Sequence, residues 1–153
     1  ALFAFSTSSS AATIPVTLKT VTDDLGVKKD VSSFVIPVGA TINMDGTAIM
    51  QGLATMFIAS TAGVDLSMIE YMQIVLLAMV ASIGAAAVPS AGTITLALIL
   101  SSLGLPLDAI GLILAVDRIL DMIRTSVNVT GDSAVACIVA NSENLLDREV
   151  FNK

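Results

Sequence analysis

The chain has 153 residues, of which 55% are hydrophobic and 13% are charged, and its formal net charge is −6. A soluble domain usually carries about a quarter charged residues, so this composition favours a membrane protein. The absence of histidine excludes histidine-based catalysis and most zinc sites. The lack of a basic patch, with an aromatic content of 4%, argues against nucleic-acid binding. The single cysteine, Cys137, is expected to be a packed apolar residue.

The first residues read as the end of an apolar helix, so we expect the chain to be the C-terminal part of a longer protein. Residues 6–13 then form a serine-rich polar cluster, and Pro15 follows where it fits the first turn of a new helix. The amides at such a helix N-terminus can bind a carboxylate, with a low-complexity loop as the alternative. Residues 19–30 are strongly hydrophilic and predict a helix end and a surface loop.

Residues 34–62 form an apolar stretch that, at about 1.5 Å per residue, is long enough to cross a hydrocarbon core of about 30 Å. Asn43, Asp45 and Gly46 interrupt it near the middle. Asn and Asp favour caps and turns, and Gly tolerates unusual backbone angles. We therefore predict two half-helices with an unwound joint, which exposes carbonyls that suit an ion such as sodium. An ordinary turn between two helices is the alternative.

Two shorter apolar arms, residues 68–88 and 93–103, flank a turn signal at residues 89–92. Each arm is short for a full span, so a re-entrant hairpin that enters and leaves by the same side is the economical prediction. The region 82–93 loosely resembles the region 6–15, as expected for two facing tips in an inverted-repeat transporter.

A polar stripe runs along the last apolar stretch, residues 110–140. At about 100° per residue its members fall within an arc of about 80° on one helix face. They are Asp117, Asp121, Arg124, Asn128 and Asp132. Charges in so apolar a helix are costly unless they face a partner, a ligand or an ion. A buried salt bridge between Asp121 and Arg124 would satisfy only two of these groups, so the stripe indicates a functional site.

The chemistry of the stripe suggests a division of labour. Arg124 offers a planar fork that fits a carboxylate, Asp121 can accept an ammonium, and Asn128 can donate to a second carboxylate. A ligand with one ammonium and two carboxylates, aspartate or glutamate, matches this set. Asp132 can coordinate a hard cation through oxygen. Asp117 is equally well explained by a structural role.

Together these motifs resemble the dicarboxylate/amino acid:cation symporter family, which includes the glutamate and aspartate transporters. The resemblance covers nearly the whole chain and is carried by residues 7–15, 39–46, 82–84, 88–92 and 117–132. It implies an all-α membrane protein with a broken transmembrane helix, re-entrant helical hairpins and a final amphipathic transmembrane helix, which form an elevator-type transport domain. The implied segments are a first hairpin tip with the start of its second arm (1–15), the broken helix (31–62), the second re-entrant hairpin (67–104), the last transmembrane helix (107–143) and a solvated tail (144–153).

The resemblance also implies a role for individual residues. Arg124 would hold the side-chain carboxylate of the substrate, and Asp121 with Thr125 would hold its ammonium. The implied substrate-binding residues are Ser8, Ser9, Ser10, Thr47, Val88, Pro89, Ser90, Ala91, Gly92, Asp121, Arg124, Thr125 and Asn128. The implied sodium ligands, through side chains or carbonyls, are Gly39, Thr41, Asn43, Asp45, Ser82, Ile83, Ala85, Asn128 and Asp132.

The chain also departs from the family pattern. Family members usually place an arginine near the substrate amino group, at positions where this chain has Ser8 and Met122. Animal glutamate carriers have a glutamate linked to proton coupling where this chain has Gln51, so that proton step is not expected. Asp132 stands where proton-driven relatives tend to have asparagine, which favours sodium. Arg124 stands where neutral amino-acid carriers have a smaller residue, which favours acidic substrates.

The sequence therefore predicts sodium-coupled symport of aspartate, glutamate or C4-dicarboxylates, with no enzymatic activity. The expected partners are the acidic substrate, sodium ions and the lipid bilayer, and a homotrimer formed through a further scaffold part. The expected location is the cell (inner) membrane, which the protein would cross several times. A proton-coupled carrier or an ion channel is the alternative, with the acids acting as a relay. A membrane-embedded structural protein whose stripe binds a partner helix is a third possibility.

Overall fold

The computed structural model describes residues 1–85 and 87–153, and within these ranges every regular element is helical. The all-α prediction is thereby confirmed. An isolated antiparallel bridge joins Val27 to Leu146. The α-helices are α1 (Leu2–Thr7), α2 (Ser10–Lys19), α3 (Lys29–Ile42), α4 (Asp45–Thr61), α5 (Met68–Ile83), α6 (Ala91–Ser102), α7 (Ile110–Leu114), α8 (Asp117–Ser142) and α9 (Arg148–Phe151).

A π-helical turn, Thr20–Asp24, extends α2, and a 3₁₀ turn, Leu107–Ala109, precedes α7. Among the residues that the structure describes, none of the helices is both long enough and apolar enough to cross a membrane.

The first tip, residues 8–9, separates α1 from α2. Ser8 adopts a left-handed conformation with φ 51°, and its amide donates to the Ala4 carbonyl at 3.0 Å. Ser9 is extended, and its hydroxyl accepts a hydrogen bond from the Ala12 amide at 3.2 Å. Because Ser9 caps the helix, α2 begins well before Pro15, which lies inside α2 rather than in its first turn.

A break separates α3 from α4. Asn43 (φ −90°, ψ 75°) and Met44 (φ −110°, ψ 55°) both leave the helical conformation. The Asn43 amide still donates to the Gly39 carbonyl at 2.8 Å, and the Met44 side chain is buried. The polar residues of the sequence signal therefore mark the position where the structure changes helix, and both halves pack against α8.

The second tip, residues 87–90, lies between α5 and α6, and Ala86 is outside the described residues. Helix α5 begins with a reciprocal cap, in which Ser67 and Glu70 each bond the other's backbone amide. Ser90 adopts a left-handed conformation with φ 60° immediately before α6. Ala91 and Gly92, which the sequence placed in the turn, form the first turn of α6.

The striped helix α8 is the longest of the described helices, with 26 residues. The sequence predicted one helix over 107–143, whereas the structure has the 3₁₀ turn, α7 and a two-residue interruption at Ala115 and Val116 before α8 begins. The interruption places Asp117 in the first turn of α8, where the helix dipole favours a negative charge.

Two apolar clusters flank the polar segment of α8. The first joins α4, α6 and α7 through Met50, Ala54, Ile58, Ala59, Leu96, Leu100, Leu105 and Ile113. The second joins the π-helical turn, the following loop and α3 to the C-terminal half of α8, through Val21, Val27, Val31, Ile36, Ala136 and Ala140. Leu120 of α8 packs against the first cluster, and Ala136 and Ala140 of α8 belong to the second, so the two clusters hold α8 on either side of its polar segment.

Candidate functional site

The polar stripe of α8 faces the interior of the fold. All five of its side chains are at most 6% exposed, and Thr125 beside them is equally buried. Buried charges are costly unless they are paired or hydrogen-bonded, so the partner of each group decides what the site can do.

Arg124 forms a buried ion pair with Asp121 one turn earlier, through Nη2 and Oδ1. The Thr125 hydroxyl lies 3.5 Å from the same Asp121 oxygen. The other terminal nitrogen of the guanidinium, Nη1, is buried and has no hydrogen-bond partner among the described residues. Nη2 of the guanidinium is therefore used within the protein, whereas Nη1 remains a donor without an acceptor among the described residues.

The second tip is attached to α8 by two carboxylates. Asp121 Oδ2 accepts a hydrogen bond from the Ser90 amide at 2.7 Å. Asp117 accepts from the Ser90 hydroxyl at 2.8 Å and from the Thr93 hydroxyl at 2.7 Å. From the sequence alone, Asp117 has a structural or a functional role with equal weight and Thr93 is not a candidate, because neither contact can be read from the spacing along one helix.

Asn128 joins α8 to the start of α4. Its side-chain oxygen accepts from the Gly46 amide at 2.8 Å, and its nitrogen donates to the Thr47 hydroxyl at 3.2 Å. A Cβ on Gly46 would lie 2.5 Å from the Arg124 carbonyl, so the absence of a side chain permits this close approach. Both Asn128 and Thr47 were predicted to bind substrate, and the structure brings them together.

A second oxygen-rich group lies at the break between α3 and α4. Asp132 is buried, and its Oδ1 accepts a hydrogen bond from the Asn43 side-chain amide at 3.1 Å. A Cβ on Gly39 would lie 2.6 Å from Asp132 Oδ1, and one on Gly131 would lie 3.3 Å from Asp45 Oδ2. Four predicted sodium ligands, Gly39, Asn43, Asp45 and Asp132, are thus neighbours, although Asp45 itself is exposed.

The other predicted sodium ligands are less closely connected. Thr41 is exposed and its hydroxyl donates to the Val38 carbonyl at 2.9 Å, whereas Ser82 is buried and its hydroxyl donates to the Met79 carbonyl at 2.8 Å. Both hydroxyls therefore bond within their own helices. Ile83 is about half exposed and Ala85 is buried.

The two tips touch each other. The Ser9 hydroxyl donates to the Ala87 carbonyl at 2.9 Å, and the Ala11 amide lies 3.3 Å from the same oxygen. The Ser8 hydroxyl is buried, and within residues 1–85 and 87–153 it has no partner. Val88, Pro89 and Ser90 of the second tip are exposed.

A small cavity lies where the tips, α4 and α8 meet. Its volume is about 10 Å³, which is barely enough for one water molecule. It is lined by Ser8, Ser10, Met44, Thr47, Ala85, Ala87, Val88, Gly92, Arg124, Thr125 and Asn128. Most of the predicted substrate-binding residues therefore surround one small cavity, and Arg124, which is paired with Asp121, is part of its lining.

Gln51 was not among the predicted site residues. Its side chain is fully buried in α4, and Nε2 donates to the Gly92 carbonyl at 3.3 Å and to the Thr95 hydroxyl. Gly92 in turn packs directly on Arg124, because a Cβ at Gly92 would overlap Nη1. In the sequence, Gln51 is an uncharged polar residue in an apolar stretch, and the family resemblance implies for it only that a proton-coupling step is absent.

Comparison with known proteins places this geometry in a family. Residues 1–142 match the sodium:dicarboxylate symporter family. The chain belongs to that family, a family of transport proteins and not of enzymes, so both the resemblance and the expected lack of enzymatic activity are confirmed.

The chain is similar to several excitatory amino acid transporters. It is 54% identical to excitatory amino acid transporter 2 of Mus musculus over 136 residues, which cover 89% of this chain and 24% of the relative. It is 49% identical to excitatory amino acid transporter 1 of Rattus norvegicus over 150 residues, which cover 98% of this chain and 27% of the relative. An excitatory amino acid transporter of Caenorhabditis elegans is 52% identical over 136 residues, which cover 89% of this chain and 27% of the relative. The chain thus spans about a quarter of the length of these relatives.

Proposed function

We propose that this chain is part of the transport domain of a sodium-coupled symporter for aspartate or glutamate, embedded in a lipid bilayer. The observation that carries the proposal is the guanidinium of Arg124. It is buried, paired on one edge with Asp121, and its Nη1 has no acceptor among the described residues. A buried cationic donor without an acceptor is costly, so an anionic ligand is the partner that completes it. A carboxylate fits because the family carries dicarboxylates.

The remaining donors and acceptors fit the rest of an acidic amino acid. The unpartnered Ser8 hydroxyl, the start of α2 at Ser10 and the Asn128 amide surround the same cavity and suit the α-carboxylate. Asp121 suits the ammonium, because only its Oδ1 pairs with Arg124 and its Oδ2 has an uncharged partner. In the structure its Oδ2 holds the Ser90 amide, so an incoming ammonium exchanges with that amide.

Sodium is the co-transported substrate in this proposal. The buried Asp132 carboxylate has an amide partner, Asn43, and no cationic partner among the described residues. A negative charge in so apolar a setting favours a bound cation, and an oxygen-rich group beside freed backbone carbonyls suits sodium. The family supplies the assignment of a second group of ligands, Thr41, Ser82, Ile83 and Ala85.

The size of the cavity suggests the order of events. A space for about one water molecule cannot hold an amino acid, so one tip has to move before substrate enters. Sodium at the break would fix the start of α4, where Asn128 binds Gly46 and Thr47, and would thereby raise the affinity for substrate. Coupling of this kind is reciprocal, so substrate also raises the affinity for sodium. The elevator motion and a homotrimer would involve a scaffold outside the present chain.

The test uses the full-length transporter in liposomes with an inward sodium gradient. We expect saturable uptake of radiolabelled aspartate, and we expect Arg124→Ala to abolish it because the carboxylate loses its fork. Arg118→Ala is the matched control, since Arg118 is exposed on the same helix and should leave uptake unchanged. A sodium-induced thermal shift without aspartate verifies that Arg124→Ala is folded. Unaltered uptake by folded Arg124→Ala would refute the substrate assignment.

A further inference from the structure

We propose that Asp117 is a positioning residue that holds the second tip closed over the substrate site. This inference rests on the proposed transport function, but the latch itself is a feature of the closed structure. It consists of the Asp117 carboxylate on α8 and two hydroxyls, those of Ser90 in the second tip and Thr93 in the first turn of α6.

The geometry of the latch uses both carboxylate oxygens. Asp117 Oδ2 accepts from Ser90 at 2.8 Å and Oδ1 accepts from Thr93 at 2.7 Å. Asp117 is 5% exposed, so water contributes little to its solvation in the closed state. Hydrogen bonds to an ionised acceptor are roughly twice as strong as those between neutral groups. The two hydroxyls therefore link the second tip and the first turn of α6 directly to α8.

The charges around Asp117 support the same role. The Asp121–Arg124 pair is the one ion pair within residues 1–85 and 87–153, so the single guanidinium of the stripe is committed to Asp121. Arg118, next in sequence, is exposed. The negative charge of Asp117 is stabilised instead by the N-terminus of α8 and by the hydrogen bonds from the two hydroxyls. Both hydroxyls leave when the tip moves away.

The Ser90 residue connects the latch to the ligand site. Its amide binds Asp121, which we propose as the partner of the substrate ammonium, and its hydroxyl binds Asp117. When the ammonium takes the place of the Ser90 amide, the bonds to Asp117 remain. Asp117 therefore keeps the tip seated while the contact at Asp121 is exchanged, and the latch should slow the release of bound substrate.

A purely structural alternative is that Asp117 only stabilises the start of α8. Thr93→Val separates the two roles, because it removes one hydroxyl donor and leaves the Asp117 carboxylate in place. Asp117→Asn removes the charge itself. Ser102→Ala is the matched control on α6, because the Ser102 hydroxyl is exposed and bonds only to the Leu98 carbonyl of its own helix, at 2.8 Å.

The experiment measures two quantities on the purified full-length transporter. The first is the rate at which radiolabelled aspartate dissociates in saturating sodium, after dilution with unlabelled aspartate. The second is hydrogen exchange of the backbone in residues 87–95, recorded by mass spectrometry without aspartate. We expect Thr93→Val and Asp117→Asn each to speed dissociation by about tenfold and to accelerate exchange in the tip, with wild-type exchange at residues 39–47. Ser102→Ala should behave as wild type in both.

The outcomes are distinct. Wild-type dissociation and exchange in folded Thr93→Val would overturn the latch, and so would faster exchange without faster dissociation. The double variant Thr93→Val/Asp117→Ala should dissociate no faster than Asp117→Ala alone, because Asp117→Ala already removes the acceptor of the Thr93 hydroxyl, and additive effects would also overturn it. If wild-type protein binds no aspartate, the proposed function fails, and the exchange measurement still decides whether Asp117 and Thr93 hold the tip.

Discussion

Gly92 is the position at which the structure makes the sharpest prediction about substrate affinity. A Cβ on Gly92 would overlap Arg124 Nη1 and would lie 2.9 Å from Arg124 Cζ and 3.4 Å from Met50 Cε. In Gly92→Ala the guanidinium therefore has to move or α6 has to lift away from α8. Because Arg124 is buried and paired with Asp121, it cannot swing freely, and the donor that faces the cavity is displaced.

The size of the effect follows from the loss of one charge-assisted hydrogen bond. Such a bond contributes about 1.5–3 kcal/mol, which corresponds to about 10- to 150-fold weaker binding of aspartate. The assay is isothermal titration of the full-length protein with aspartate in saturating sodium. Gly52→Ala is the control, since a Cβ there meets nothing within 4 Å and Gly52 also lies in a helix. An unchanged dissociation constant in Gly92→Ala would refute the contact between Gly92 and Arg124 as a determinant of affinity.

Two further predictions concern the break and the first tip. Gly39→Ala places a Cβ 2.6 Å from Asp132 Oδ1 and should weaken sodium binding about tenfold, while high sodium restores the affinity for aspartate. The measurement is a titration of aspartate binding with sodium. An unaltered sodium concentration at the midpoint would contradict the prediction. Ser9→Ala removes the cap of α2 and the bond to the Ala87 carbonyl, and should lower the stability by about 0.5–2 kcal/mol. Thermal unfolding should show a lower midpoint than for Ser6→Ala, whose exposed hydroxyl bonds only to Phe3, and equal midpoints would argue against it.

The helical periodicity of α8 was sufficient to predict which of its residues share a face. Asp121, Arg124 and Asn128 lie within an arc set by the geometry of one helix, and the cost of burying charge implies that this face is turned inward. The change of helix after Ile42 was also predictable, because Asn43 and Gly46 are poor residues for a helix interior. Helix periodicity and residue propensity determine both features locally, so both can be predicted from a single sequence.

The partners of these groups could not be predicted in the same way. Asp117 binds Ser90 and Thr93 only because the first turn of α6 lies beside the first turn of α8, and Gln51 reaches Gly92 only because α4 packs on α6. Those contacts depend on tertiary packing, which the spacing within one helix does not encode. The same reason explains why the sequence assigned Asp121 directly to an ammonium, whereas in the closed structure the Ser90 amide already occupies one of its oxygens.

The central claim is that a cation at the α3–α4 break and an acidic amino acid at Arg124 bind cooperatively. The most direct measurement is the dissociation constant of aspartate for the full-length protein, by isothermal titration in sodium and in choline at equal ionic strength. We expect binding at least about tenfold tighter in sodium, because Asp132 and Asn128 connect the two regions through α8. Equal affinity in the two salts would contradict it.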